Sequence, residues 1–570
     1  MANYNIDAKS KQTYDAIVIG SGISGGWAAK ELTEKGLKTL VLERGRNVEH
    51  IKDYPTTHLR PWEFEFHGRM PVEVIKENPI VSRCYAFKDD ADHFFVKDKE
   101  QPYVQEKPFD WIRGYQVGGK SLLWARQVQR WSDFDFEGPA RDGFAVDWPI
   151  RYKDLAPWYS YVEKFAGVSG NKDGLEELPD GEFLRPYELT KVESYFKDQV
   201  AEKYKDRHVI IARCAHLSEQ KDIHTQQGRA QCQNRVICQR GCPYGGYFSS
   251  NSSTIPWAAK TGNLTLQPDS VVESLIYDDE KEKVTGVRVI DAKTKETTEY
   301  FAKIVFVNAS AVNTNSILLN SKSDRFPNGL GNDNGLLGKF VAFHNYRARV
   351  EAEYDGFLEY TTDGNRPTSG YIPRFRNVRK QETNFLRGYA AGLGAHRRTI
   401  SNTEGMGATL KENLLDFKLG PWHVGSHMMG ETIPKDSNYI SLNNSETDAW
   451  GMPLINFSVD YDENDEKMIQ DYFEQMTEMF ESAGFTNIRT IDSHQAPGLD
   501  IHEMGGVRMG KDPKTSLLNE WNQMHLAKNV FVTDGACMTS TGTQNPSLTY
   551  MALTARAVDH AVKEMNKGNL

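Results

Sequence analysis

The chain is predicted to be an α/β protein in which a parallel-sheet domain, built from separated segments, carries an inserted α+β domain with an antiparallel sheet. Three observations lead there. At 570 residues the chain is longer than one compact core usually serves. Near its start a strand, a glycine turn, a helix and a second strand follow in the order of a βαβ unit, which implies parallel neighbours. Two long stretches of different character then separate that unit from a last strand and helix near the far end.

Each element has its own pattern. Residues 14–19, YDAIVI, are a short apolar run that ends on Gly20-Ser21-Gly22. GGWAAKELTEKG reads as the crossover helix and KTLVLERG as the second strand. Between 263 and 309, NLTLQPDSVVESLIYD, VTGVRVID and IVFVNAS alternate apolar runs with polar turns and read as further strands beside the first unit. NVFVTDGA is another strand, ending at Asp534-Gly535, and PSLTYMALTARAVDHAVKEMNKG places apolar residues at helical spacing. The stretches 50–112 and 130–230 are rich in Tyr, Trp, Phe, Lys and Asp and show little periodicity. Residues 346–495 mix strand alternation (YRARVEAEY, YISLNN, INFSVDYD) with one strong helix, ENDEKMIQDYFEQMTEMFESAG. The expected division is 1–50, 111–130, 208–345 and 496–570 for the first domain, and 51–110, 131–207 and 346–495 for the inserted one.

Composition excludes several classes. The chain is 39% hydrophobic, 26% charged and 11% aromatic, which is ordinary for a globular protein. Lys plus Arg total 68 against 78 Asp plus Glu, a net charge of −10, and no basic stripe invites a nucleic acid. No apolar run has the length of a membrane span, in keeping with a mean hydropathy of −0.60. MANYNIDAKSKQTYDAIVIG holds no apolar stretch long enough for a signal peptide before the first strand. Six cysteines are too sparse for a disulfide scaffold. Cys84, Cys214 and Cys537 are scattered, whereas Cys232, Cys238 and Cys242 are clustered.

Four motifs carry chemistry. In Gly20-x-Gly22-x-x-Gly25 the first glycine allows the tight turn, the second lets backbone approach a pyrophosphate, and the third lets helix and strand pack closely. Glu43 ends the second strand, where an acid binds ribose hydroxyls. Together they predict a Rossmann-like dinucleotide site without separating FAD from NAD. Gly118-Gly119-Lys120-Ser121, followed by Trp124, is a turn whose backbone can lie against a flat ring or a phosphate, or a plain loop. His502 in DIHEMGGVRMG and Asn545 in GTQNPSLT flank the strand end at Asp534-Gly535, where ligands meet α/β sheets. A histidine is the usual base for an alcohol proton near neutral pH, but spacing alone does not single out one of 15 histidines. The string His-Glu lacks the second histidine of a zinc protease. Cys232-x5-Cys238-x3-Cys242-Pro243 has the wrong spacing for a zinc site. Three such cysteines can hold an iron–sulfur cluster, or stand as free thiols, or form one disulfide with a spare.

With these residues in hand, the chain resembles the glucose–methanol–choline (GMC) family of FAD oxidoreductases. The resemblance runs in order along nearly the whole chain: GSGISGG, VGGKSLLWA, the strand-rich middle, then HEMGGVRMG, VFVTDGA and TGTQNPSLTYMALTARA. Within the family it looks most like pyranose oxidase and the bacterial sugar dehydrogenases. The resemblance implies a discontinuous FAD-binding domain and an inserted substrate-binding domain. It implies His502 and Asn545 as the catalytic pair. It implies cofactor contacts from Gly20, Gly22, Gly25, Glu43, Gly118, Gly119, Ser121, Asp534, Gly535, Asn545 and Pro546. Pyranose oxidase tethers its flavin through a histidine where this chain has Leu123, so FAD is expected to be non-covalent. Related glucose and glucoside 3-dehydrogenases carry the same cysteine pattern on a 3Fe–4S cluster, which implies Cys232, Cys238 and Cys242 as ligands.

The function implied is oxidation of a secondary sugar hydroxyl, preferably C3 of a glucoside. Glucose or gluconate oxidation, a sugar oxidase using oxygen, and a flavin binder without turnover are the alternatives. The resemblance also implies a small partner subunit bearing a twin-arginine signal, a cytochrome c acceptor, and a periplasmic location reached with that partner, the alternative being cytoplasmic. Trp62, Phe64, Trp131 and Trp422 can stack on sugar faces but read more readily as core.

Overall fold

The computed structural model describes residues 13–361, 366–400, 402–416 and 418–570. Residues 1–12, which hold the start of the first expected segment and of the leader reading, lie outside them. The first sheet has seven strands in the order Leu264–Gln267, Thr39–Leu42, Thr13–Ile19, Thr297–Val307, Lys283–Asp291 and Ser270–Asp278, with Val530–Val532 also on Thr297–Val307. Thr13–Ile19, Thr39–Leu42 and Leu264–Gln267 run parallel, as the βαβ pattern requires. Thr297–Val307 is shared: its first half pairs antiparallel with Lys283–Asp291, its last three residues parallel with Val530–Val532. Its central strands are almost wholly buried, since helices Ile23–Glu34, Thr254–Lys260 and Ser547–Asn566 pack together over them.

The second sheet is antiparallel and also has seven strands, ordered Thr486–Asp492, Ala348–Tyr354, Lys418–Glu431, Tyr389–Ile400, Gly370–Ile372 and Ile210–Ile211, with His344–Asn345 on Lys418–Glu431. Helix Glu463–Ser482 covers it. The Asp462 side chain caps that helix by accepting from the backbone N–H groups of Asn464 and Asp465. Its buried stripe is Met468, Ile469, Tyr472, Met476, Met479 and Phe480, at the three- and four-residue spacing read in the sequence.

A third sheet, not foreseen, orders Met504–Gly506, Lys339–Ala342, Tyr439–Thr447, Pro453–Ser458 and Val104–Gln105. It joins strands from both sets of segments. The strand pairings therefore cut across the boundaries drawn from the sequence: Ile210–Ile211 and His344–Asn345 belong to the antiparallel sheet although 208–345 is assigned to the first domain. A buried ionic network joins the two inserted stretches 131–207 and 346–495 to each other. Arg374 reaches Asp135 (2.9 Å) and Glu431 (3.2 Å), and Arg387 reaches Glu431 and Asp142 (both 2.9 Å). Among the described residues no helix is long and apolar enough to cross a membrane.

Candidate active site

A cavity of about 500 Å³ runs from the glycine turn to His502 and Asn545. Each glycine of the turn has a distinct steric duty. A Cβ on Gly20, whose φ is 93°, would lie 2.4 Å from the Asn308 carbonyl oxygen. A Cβ on Gly25 would lie 2.0 Å from the Gly20 carbonyl oxygen, the close packing expected of the third glycine. Gly22 faces open space and, with Ile23 and Ser24, lines the cavity at the helix N-terminus.

Glu43 also lines the cavity, yet its carboxylate is engaged with backbone. One oxygen accepts from the Ser21 N–H (3.0 Å) and hydroxyl (2.6 Å), the other from Gly45 N–H (3.0 Å). Burial pushes its carboxyl above the usual range. The Ser21 hydroxyl accepts in turn from Gly118 N–H (2.9 Å), which couples the two turns. Gly118 has φ 89°, and a Cβ there would collide with the Asn251 side chain. Ser121 donates to the Gly118 carbonyl (2.6 Å) and accepts from Ser250 N–H (3.0 Å). Gly119, Lys120 and Ser121 line the cavity, whereas Gly25, Gly118 and Pro546 stand behind its wall. Pro546 caps helix Ser547–Asn566.

At the strand end, Asp534 accepts from Ala536 N–H (3.0 Å) and the Thr314 hydroxyl (2.6 Å), and burial pushes its pKa up to about 6. Gly535 admits the Glu503 carbonyl oxygen, which would lie 2.4 Å from a Cβ there. Eight polar atoms on the described lining residues are buried without a hydrogen-bond partner: Arg44 Nε, Arg113 Nε and Nη2, Arg126 Nε and Nη1, Asn308 Oδ1, Glu503 Oε1 and Tyr550 Oη. A glycine turn at a helix end and these spare donors and acceptors along one cavity fit a dinucleotide.

At the other end, Asn545 Nδ2 and His502 Nε2 are 3.5 Å apart. His502 Nδ1 is 2.9 Å from His344 Nδ1 and 4.0 Å from the Asp500 carboxylate. Ile501, just before His502, has φ 63°, an outlier for a β-branched residue. Burial holds the His502 imidazole well below its ordinary pKa, and neighbouring His344 and Lys120 push the same way. Such a histidine is neutral and can accept a proton. Tyr346, His427 and Gln127 supply further polar groups on the wall. Sequence reasoning missed His344, Asp500, Tyr346 and His427. Only Asp500 carried a signal, two residues from His502. Trp131, Trp422 and Phe64 are core, Trp62 is exposed, and none lines the cavity.

The three clustered cysteines are free thiols. They gather around one short pairing of residues 216–217 with 246–247. Cys232 N–H donates to the Leu217 carbonyl (2.8 Å), Gly246 N–H points at Cys242 Sγ (3.4 Å), and Cys238 Sγ lies 3.8 Å from His216 Nε2. The three sulfurs do not form a set within 4.8 Å of one another, as a single shared ion would need. Arg126 stands between loop and cavity. It lines the cavity, holds φ 66°, leaves Nε and Nη1 unpartnered, and lies 4.5 Å over the Tyr247 ring. The Tyr247 hydroxyl donates to the Leu122 carbonyl (2.7 Å), beside the Ser121 loop.

A dinucleotide turn joined by one cavity to a buried, neutral histidine and an amide defines an oxidoreductase site. Residues 14–339 match the N-terminal family model described as GMC oxidoreductase, and residues 434–554 match the C-terminal one. The chain belongs to the GMC oxidoreductase family, and is an FAD-dependent enzyme that oxidises CH–OH groups of alcohols. It is 26% identical to 2-methyl-1,2-propanediol dehydrogenase of Mycolicibacterium austroafricanum, over 96% of this chain and 94% of that one. It is 24% identical to the fructose dehydrogenase large subunit of Gluconobacter japonicus, over 97% and 98%. Its fold matches formate oxidase of Aspergillus oryzae with a TM-score of 0.61 at 14% identity, covering 99% of this chain and 100% of that one.

Proposed function

We propose that this enzyme is a sugar dehydrogenase that oxidises a secondary hydroxyl of a pyranoside, preferably C3 of a glucoside, to the ketone. The observation that carries the reading is the placement of His502 and Asn545 at the end of the cavity that begins at the glycine turn. FAD, when bound, supplies the acceptor for the hydride. Leu123 on the lining offers no nucleophile for a covalent tether. Neutral His502 takes the hydroxyl proton at Nε2, and Asn545 holds the hydroxyl beside it, which removes much of the orientational cost. The resulting imidazolium and the Asn545 amide both donate toward the oxygen as charge builds. Tyr346, His427 and Gln127 give the wall hydroxyl-binding groups, as a polyhydroxy ring needs.

Cys232, Cys238 and Cys242 are the proposed ligands of a 3Fe–4S cluster. Three free thiols on one short segment support this, as does the buried cation Arg229, whose Nη2 has no hydrogen-bond partner and which is attracted to Cys242. Such a cluster, when bound, carries single electrons. The same reading assigns a small signal-bearing subunit, a cytochrome c acceptor and a periplasmic location. The test is a panel of methyl glucosides, glucose, gluconate and 2-methyl-1,2-propanediol, followed with a one-electron dye and with an oxygen electrode. Dye-coupled turnover of the glucosides to 3-keto products, with little oxygen uptake, is expected. Turnover of the small diol alone, or hydrogen peroxide formation at the dye-coupled rate, would overturn the reading.

A further inference from the structure

The base must present a bare Nε2, and something must decide that the single proton of its neutral ring sits on Nδ1. The third sheet brings the deciding group into place. Met504 pairs antiparallel with Ala342, so continuing that register by two residues sets His502 opposite His344. Their Nδ1 atoms are 2.9 Å apart with the rings near perpendicular, at 87°. The other nitrogen of His344 faces two backbone carbonyls, Thr541 at 3.2 Å and Gly542 at 3.1 Å. Carbonyl oxygens only accept, so His344 Nε2 carries a hydrogen. Burial holds His344 down to about 4, so near neutral pH it has one proton, already placed. Its Nδ1 is then an acceptor, and His502 Nδ1 must donate to it.

We infer that His344 is a positioning residue: by accepting the Nδ1–H of His502 it keeps His502 Nε2 bare and aimed at the substrate. The chain of hydrogen bonds runs from the carbonyls of Thr541 and Gly542 through His344 to His502, and those carbonyls lie in the loop that carries Asn545. Both members of the catalytic pair are thus oriented from one segment. The backbone N–H of His344 donates to the Asp500 carboxylate at 2.8 Å, which ties the strand that carries His344 to the segment that carries His502. When His502 takes the substrate proton it keeps its bond to His344, now charge-assisted and stronger, without turning the ring. Asp500, whose carboxyl burial pushes up to about 7, and Lys120, itself paired with Glu503, are the titratable groups facing the pair.

The inference rests on His502 being the proton acceptor proposed above. It is tested on the FAD-loaded enzyme labelled with ¹⁵N-histidine, with the His502 signals assigned by their loss in His502→Asn. Wild type is expected to show a protonated Nδ1 and a bare Nε2. His344→Leu is expected to lose that signature and at least about tenfold in flavin reduction rate. His344→Asn, whose Oδ1 can accept the same N–H, is expected to restore both in part. A protonated Nε2 in wild type would overturn the inference, even if the leucine variant failed to fold. So would a leucine variant that kept both signature and rate. Failure of the sugar panel leaves the wild-type nitrogen signature unchanged, so the two readings fail separately.

Discussion

His502→Asn is expected to slow reduction of the flavin by sugar about 10³-fold while FAD content stays at the wild-type level. The substitution removes the proposed proton acceptor and leaves the glycine turn, the Gly118–Ser121 loop and the Asp534 strand end untouched. Hydroxyl protons in water are far too tightly held to leave unaided at neutral pH, so the alcohol must otherwise lose hydride while still protonated. Burial places the wild-type imidazole well below 6.5, with Lys120 and His344 adding to the depression. The base form is therefore present above that folded pKa and is lost only as pH falls through it. The acid limb of kcat/KM is expected below pH 6.5, and rapid-mixing rates across pH check both statements. A variant that retained more than about a tenth of the wild-type rate would remove His502 from the base role.

Cys238→Ser is expected to abolish the paramagnetic signal of the proposed cluster and turnover with a cytochrome acceptor. The half-reaction with sugar should stay within about twofold of wild type, because the loop and the catalytic pair share no direct partner. Cys238 Sγ lies 3.8 Å from His216 Nε2, Arg126 lies over the Tyr247 ring and lines the cavity, and none of the three clustered cysteines lines it. Iron and sulfide assays with electron paramagnetic resonance on anaerobically purified protein check it. Iron-free wild type that still reduces cytochrome would end the cluster proposal.

The parts of the fold legible in the sequence are those specified by local sterics or periodicity. Gly20 and Gly25 each meet a carbonyl that a Cβ would strike, so the motif states its own geometry. Helix Glu463–Ser482 announces itself through an aspartate cap and an apolar stripe. Helix Tyr152–Ala166 does not, because Pro157 sits inside it and aromatic residues blur its period. The third sheet escaped because it is assembled from strands as short as Val104–Gln105, drawn from five places in the chain. The candidate site shows the same divide. Glu43 could be placed at its strand end, but not its bonds to Ser21 and Gly45. His344 was invisible because its partner lies 158 residues away and meets it only through strand register.

In the proposed reaction hydride leaves a sugar carbon as its hydroxyl proton passes to His502. The most direct test is anaerobic mixing of the FAD-loaded enzyme with methyl glucoside bearing deuterium at C3, read as the rate of flavin bleaching. Bleaching is expected to be markedly slower with the C3 label than without it, to be unaffected by a label at C2, and to yield the 3-keto glucoside. Bleaching insensitive to the C3 label, or none with any pyranoside while a simple diol bleaches the flavin, would contradict that reaction.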